Sequence, residues 1–180
     1  MKRISAAVVI GVFLLALGGW VARPAGQGAR ASTQGTQAAP NAKYGPHKQA
    51  ALPPLPFGPR DPVPRPANCV NRSSQACVAD VFKFAAEHPE VLGYVPCFCG
   101  CENLGHRGND ECFVKARAAN GDVTAWEPHG TECQVCLDVG QQAMQMYSSG
   151  ASVREIRAAI EKKYAGTYHN HTPTVQPPAK

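Results

Sequence analysis

The chain lacks the short sequences that mark the common enzyme classes. G-x-S-x-G, a Walker loop, H-E-x-x-H and a dinucleotide fingerprint are all missing. The carboxylates are scattered rather than paired, so no acid–base or hydrolytic constellation is offered. No internal repeat is present, which excludes solenoid and propeller arrays. Acidic residues are scarce at the front: residues 1–67 hold eight Lys/Arg and one acid, Asp61. From residue 68 onward there are ten basic and twelve acidic residues. The overall charge of +5 therefore belongs to the leading third of the chain. There it fits membrane topology and lipid proximity, and a basic nucleic-acid face is excluded.

Lys2 and Arg3 precede nineteen uncharged residues, 4–22. That run is longer than a signal-peptide core of about 7–15 residues and reaches the length needed to cross a bilayer. A small-x-small cleavage site is missing, because Trp20-Val21-Ala22 places bulk where a small residue belongs. No cysteine follows closely, so a lipoprotein anchor is not offered either. The expectation is a signal/anchor transmembrane segment over 1–22 that holds the protein on the cytoplasmic membrane. The body would then face the periplasm or the cell exterior. A cleaved leader and a soluble exported protein is the alternative.

Residues 23–67 contain ten prolines among Gly, Ala, Gln and Ser. This composition reads as a disordered linker, flexible first and then stiff and extended, close to polyproline II. Within it Leu52, Leu55 and Phe57 either dock on the domain or merely space it from the membrane; the spacer is preferred. About 100 residues remain, enough for one modest core. They divide into a Cys-rich domain over 68–166 and a flexible tail over 167–180, in which His169 and His171 read as solvated.

The domain reads as all-α, a small bundle of about four helices with a Cys-rich loop. The first helix, 75–87, starts at Ser73 or Ser74 and is stopped by Pro89. Its Val78, Val81, Phe82 and Ala85 form one buried stripe. A short second helix is expected over 111–119, capped by Asn109 or Asp110 and closed by Gly121. The third, 132–149, and fourth, 153–164, open with Thr131-x-x-Gln134 and Ser152-x-x-Glu155, the pattern of a capping box. Glycines stand beyond their ends, and the two suit an antiparallel hairpin. Between the first two helices, residues 91–110 read as a loop with a short strand at 91–95.

Eight cysteines stand at 69, 77, 97, 99, 101, 112, 133 and 136. An even count in an exported chain makes disulfides the first expectation, and Cys69–Cys77 fits it as a staple at the entry to the first helix. The other six are crowded differently. Cysteines spaced by two in extended chain have Cα atoms about 6.5–7 Å apart, at the edge of or beyond ordinary disulfide geometry, which makes them poor partners for one another. Each then reaches a distant thiol, or several thiolates converge on one ion. In C-x-C-x-C the alternate side chains share a side, and Gly100 lets the backbone curl. Cys133 and Cys136 share a face in a first helical turn, where the helix N-terminus favours thiolate.

The candidate metal ligands are therefore Cys97, Cys99, Cys101, Cys133 and Cys136, with Cys112 and His129 next. His106 lies near the same junction. Met144 and Met146 read as packing, and Trp126 as a lid or core residue beside Pro128-His129. Soft thiolates select Cu(I), Zn(II) or iron–sulfur clusters. Leu137 after Cys136 disfavours a c-type haem. A cluster would be vulnerable outside the cytoplasm, where copper is handled, so Cu(I) leads and Zn(II) follows.

The run Pro96-Cys97-Phe98-Cys99-Gly100-Cys101, with Gly105-His106, Cys112-Phe113-Val114, Trp126, His129, Cys133-x-x-Cys136 and Gly150-x-Ser152-x-x-Glu155-Ile156, resembles the PCYCGC-motif family of exported, often membrane-anchored bacterial proteins. The resemblance covers residues 81–164. Phe98 stands where the family motif carries Tyr, and the family's usual lipobox is absent. The resemblance implies a compartment and a fold more than an activity. The Cys-x-x-Cys helix followed by G-x-S-x-x-E-I is also similar to the thiol module of cytochrome c maturation proteins, over that short piece alone.

The leading expectation is an extracytoplasmic binder of a thiophilic metal, acting as chaperone, sensor or store. Its partners would be the membrane, through the N-terminal segment, and an exported protein that receives metal or exchanges thiols. Two alternatives stand beside it: a disulfide-held binding module without metal, and a thiol–disulfide oxidoreductase using Cys133 and Cys136. The oxidoreductase lacks the strand–helix setting in which such pairs usually act. Enzymatic activity is left open, with a binding role preferred and no catalytic residue named.

Overall fold

A computed structural model of the chain describes residues 38–179. The expected anchor over 1–22 and the first part of the linker lie outside the described residues. Among those described, no helix is long and apolar enough to cross a membrane.

Four α-helices and one two-stranded antiparallel sheet make up the described chain: α1 (Ser74–Glu87), α2 (Pro89–Leu92), β1 (Val114–Arg117), β2 (Val123–Trp126), α3 (Gln134–Ser148) and α4 (Val153–Tyr164). Short 3-10 turns join them at Cys101–Leu104, Asn109–Cys112 and Pro128–Thr131. The fold is therefore mixed α and β, which corrects the all-α expectation. The failure is local. Residues 111–119 do not form a helix; a 3-10 turn through Cys112 leads into β1, which pairs with β2 across Asn120-Gly121-Asp122. Gly121 has a φ of +98°, so it closes a hairpin where a helix end was expected. The short strand expected at 91–95 is likewise replaced by α2, started by Pro89 at its first turn.

α1 begins where expected, with the Ser73 side chain accepting from the Ala76 amide. The Cys69–Cys77 disulfide is present and closes a loop of sequence separation 8. A loop that short contributes about 2–3 kcal/mol. Val78, Val81, Phe82 and Ala85 are fully buried, as the stripe predicts. Phe82 meets Phe113 edge-on at 5.2 Å and Trp126 at 5.4 Å, which ties α1 to the hairpin. α3 packs on α1 closely: a Cβ at Gly140 would lie 2.7 Å from Val81 Cγ1. The Ser152–Glu155 capping box of α4 is formed in both directions. The one expected at Thr131 is not. Thr131 bonds the Pro128 carbonyl instead, α3 starts at Gln134, and Cys133 becomes its N-cap.

The described part of the Pro-rich stretch, residues 38–67, lies along the domain. Leu52, Leu55, Phe57 and Val63 pack on the core, and Phe57 reaches Phe82 at 5.8 Å. The Val123 amide donates to Gln49, Trp126 Nε1 donates to the Pro53 carbonyl, and Gln134 donates to that of Arg65. Residues past the fourth helix also return. Thr172 is fully buried, and Arg157 donates to the carbonyls of Thr174 and Val175.

Candidate metal centre

The sulfur atoms of the domain gather because three short segments are pinned together by backbone and amide bonds. The first is the C-x-C-x-C loop. Gly100 takes a left-handed φ of +83°, which turns the chain so that Cys101 faces back toward Cys112. The second is the 3-10 turn Asn109–Cys112. Asn109 is fully buried; its amide N–H donates to the Val95 carbonyl, and its Nδ2 donates to the Cys136 carbonyl. One residue, through its backbone and its side chain, thus ties the loop to the start of α3. The third is the turn Pro128–Thr131, which carries His129 toward Cys133. At Gly130 a Cβ would stand 2.5 Å from a Phe113 ring carbon and 2.7 Å from the Cys112 carbonyl oxygen. Only a residue without a side chain lets the two turns approach this closely.

The result is a cluster of six free thiols. Cys97 Sγ lies 3.1 Å from Cys136 Sγ and 3.5 Å from Cys99 Sγ. Cys101 Sγ lies 3.6 Å from Cys112 Sγ, which in turn is 3.9 Å from His106 Nδ1. Cys97, Cys101, Cys112 and Cys136 are buried, while Cys99 and Cys133 are half-buried. Two groups of four donors have all their ligand atoms within 4.8 Å of one another: Cys97, Cys99, Cys101, Cys112, and Cys99, His129, Cys133, Cys136. Every candidate ligand read from the sequence is in one of them. His106 stands at the edge, its ring 6.3 Å from that of His129. Gln142 Nε2 donates to Met146 Sδ, and His171, which bonds the Thr172 carbonyl, is in neither group.

The protons of this cluster are shared unequally. Hydrogen bonds from Cys101, then Cys112 and Cys136, hold the Cys97 thiol well below the ordinary range. Cys99 is lowered in the same way, by Cys101 first and then Cys112, Cys133 and Cys136. Cys112 is pushed well above it, chiefly because its proton serves Cys101 and Cys136. Cys133 is lowered by Cys136 but raised more by Cys99 and by burial, and ends at about 11. Beside them the carboxyl of Asp110 is pushed up to about 6 by burial.

These donors fit a metal. A tetrahedral ion with metal–sulfur bonds of about 2.3 Å needs neighbouring sulfurs about 3.8 Å apart, close to the spacings observed. His129 Nε2 is buried and without a hydrogen-bond partner. A buried ring nitrogen left bare costs about 1–3 kcal/mol, and an ion would satisfy it. The cysteine and histidine groups can therefore hold a metal ion.

Two positioning residues escaped the sequence reading. Asn109 read as a helix cap, and Thr172 fell in a tail read as loose. The Cys97 amide donates to Thr172 Oγ1 at 2.9 Å, and the Thr172 amide donates back to the Cys97 carbonyl at 2.9 Å. No local pattern announces such a return from 75 residues away.

Fold and site together define a small α/β domain that carries a buried thiol cluster and one peripheral disulfide. The family model described as a protein of unknown function with PCYCGC motif matches residues 68–177, and the chain belongs to that family. No curated protein and no solved structure matches it.

Proposed function

We propose that this protein binds a thiophilic metal outside the cytoplasm, with Cu(I) the favoured ion and Zn(II) the second. The reading rests on one observation: sulfur atoms from residues 97–101, 112 and 133–136 gather in two adjoining groups that share Cys99, with a buried imidazole nitrogen that has no other partner. Soft sulfur donors in a largely apolar setting favour Cu(I) over harder ions. The Cys69–Cys77 disulfide supports export, since such bonds persist in oxidising compartments. The basic, apolar start of the chain supports anchoring to the cytoplasmic membrane. In that position the protein would act as a metal chaperone, sensor or store.

Metal analysis of tag-free protein purified anaerobically tests the proposal. Copper or zinc near stoichiometry is expected, as is tight Cu(I) uptake by the reduced protein. Metal below about a tenth of an equivalent, with no tight uptake of Cu(I) or Zn(II), would defeat it. One further reading has an observation behind it. Cys97–Cys136 and Cys101–Cys112, at 3.1 and 3.6 Å, are sulfur pairs near enough to be joined across the cluster. A metal-free module would hold both as disulfides, and a thiol count under denaturing, non-reducing conditions would then miss four thiols.

A further inference from the structure

We propose that the cluster is a binuclear centre in which the Cys99 thiolate bridges two cations; the inference rests on the metal-binding reading above. The two donor groups share Cys99 and nothing else. Two four-coordinate ions with one common ligand need seven donors. Cys97, Cys101 and Cys112 on one side, Cys133, Cys136 and His129 on the other, and Cys99 between them supply that number. A single ion held by the inner group would leave the buried His129 Nε2 still without a partner. Leaving such a group buried and unpaired is costly. The contact of Cys97 with Cys136 at 3.1 Å joins the two groups on a second edge, so the sulfurs form one continuous set.

The two positions differ in chemistry. The inner one is all sulfur, and apart from the bridge its ligands are buried. The outer one includes an imidazole, and Cys99, His129 and Cys133 are half-buried. A neutral imidazole replaces one negative charge, and partial exposure gives a competing ligand access. The outer ion is therefore the one that exchanges, and the inner ion remains.

Anaerobic titration of the reduced full chain with Co(II) tests this, followed by absorption and by electron paramagnetic resonance. Thiolate-to-cobalt bands report binding, and spin intensity reports whether two ions share a bridge. Two equivalents are expected, with spin per cobalt falling as the second binds, because a thiolate bridge couples the pair. Cys99→Ser should remove that loss of spin, and His129→Ala should bind one equivalent in place of two. Saturation of the unaltered protein at one equivalent, or at two with fully additive spin, overturns the bridge while leaving metal binding intact. No uptake of Co(II), Zn(II) or Cu(I) would instead defeat the underlying reading. The spin measurement on the unaltered chain decides the matter even if a variant does not fold.

Discussion

Gly130 shows how much of the site depends on a residue with no chemistry of its own. It stands between His129 and Thr131, and the space a methyl would need is taken by the Phe113 ring and the Cys112 carbonyl, at 2.5 and 2.7 Å. The carbonyl is backbone and cannot swing aside, so Gly130→Ala must separate the two turns. Overpacking of this kind costs about 1–3 kcal/mol. The expected result is a lower denaturant midpoint together with weakened metal uptake, since Cys112 and His129 move apart. An unchanged midpoint with full uptake would show that the turns are not in register through this contact. The candidate ligands themselves were legible: cysteines at spacing two and three, with a histidine nearby, mark a set of soft donors whatever the fold around them. Gly130 was not, because the need for a missing side chain arises only when distant segments meet.

Among the elements, the helices with strong ends were readable and the middle of the domain was not. α1 and α4 carry caps and apolar stripes that agree with each other, and both were expected within a residue or two. The hairpin was misread because residues 111–119 contain helix formers and a glycine, Gly121, follows shortly after them. Asn120-Gly121, flanked by β1 and by Val123-Thr124, is nonetheless a strong hairpin signal. Pairing with β2 outweighs the helical preference of Lys115 to Ala119, which is high on the propensity scale but amounts to tenths of a kcal/mol per residue, about what tertiary context routinely overrides. The tail is the clearer case of a contact invisible in sequence. Its Thr172 makes a two-bond bridge to Cys97, and Arg157 of α4 fixes the carbonyls that follow. Thr172→Ala removes the hydroxyl acceptor and leaves the Cys97 amide buried without a partner. A loss of about 1–3 kcal/mol is expected, concentrated at the loop. Hydrogen exchange at the Cys97 amide should quicken markedly while α1 amides hold their protection. Equal acceleration at both would mean that the tail stabilises the fold as a whole and not the loop.

For the molecule as a whole, the question is where the domain begins. The family match starts at residue 68, yet the apolar side chains of 52–63 lie on the same core. Trp126 shows the dependence most directly: it is buried, its ring packs on Phe82, and its indole N–H donates to the Pro53 carbonyl. Removing residues 38–67 would expose the indole and one face of Phe82. It would also strand the Val123 amide that Gln49 satisfies. Composition hid this, because a Pro-rich stretch cannot form a helix or an inner strand and so reads as a spacer. The same prolines lower the entropy lost when such a segment is laid on a surface. Chains starting at residues 34 and 68 offer a clean comparison, since each retains Trp126 as its one tryptophan. The shorter chain should lose at least about 3 kcal/mol on partial burial of Leu52, Leu55, Phe57 and Val63 alone. Its tryptophan emission should shift to the red under native conditions. Identical emission and identical unfolding midpoints for the two chains would return residues 38–67 to the role of a tether, and the domain would then be the matched stretch by itself.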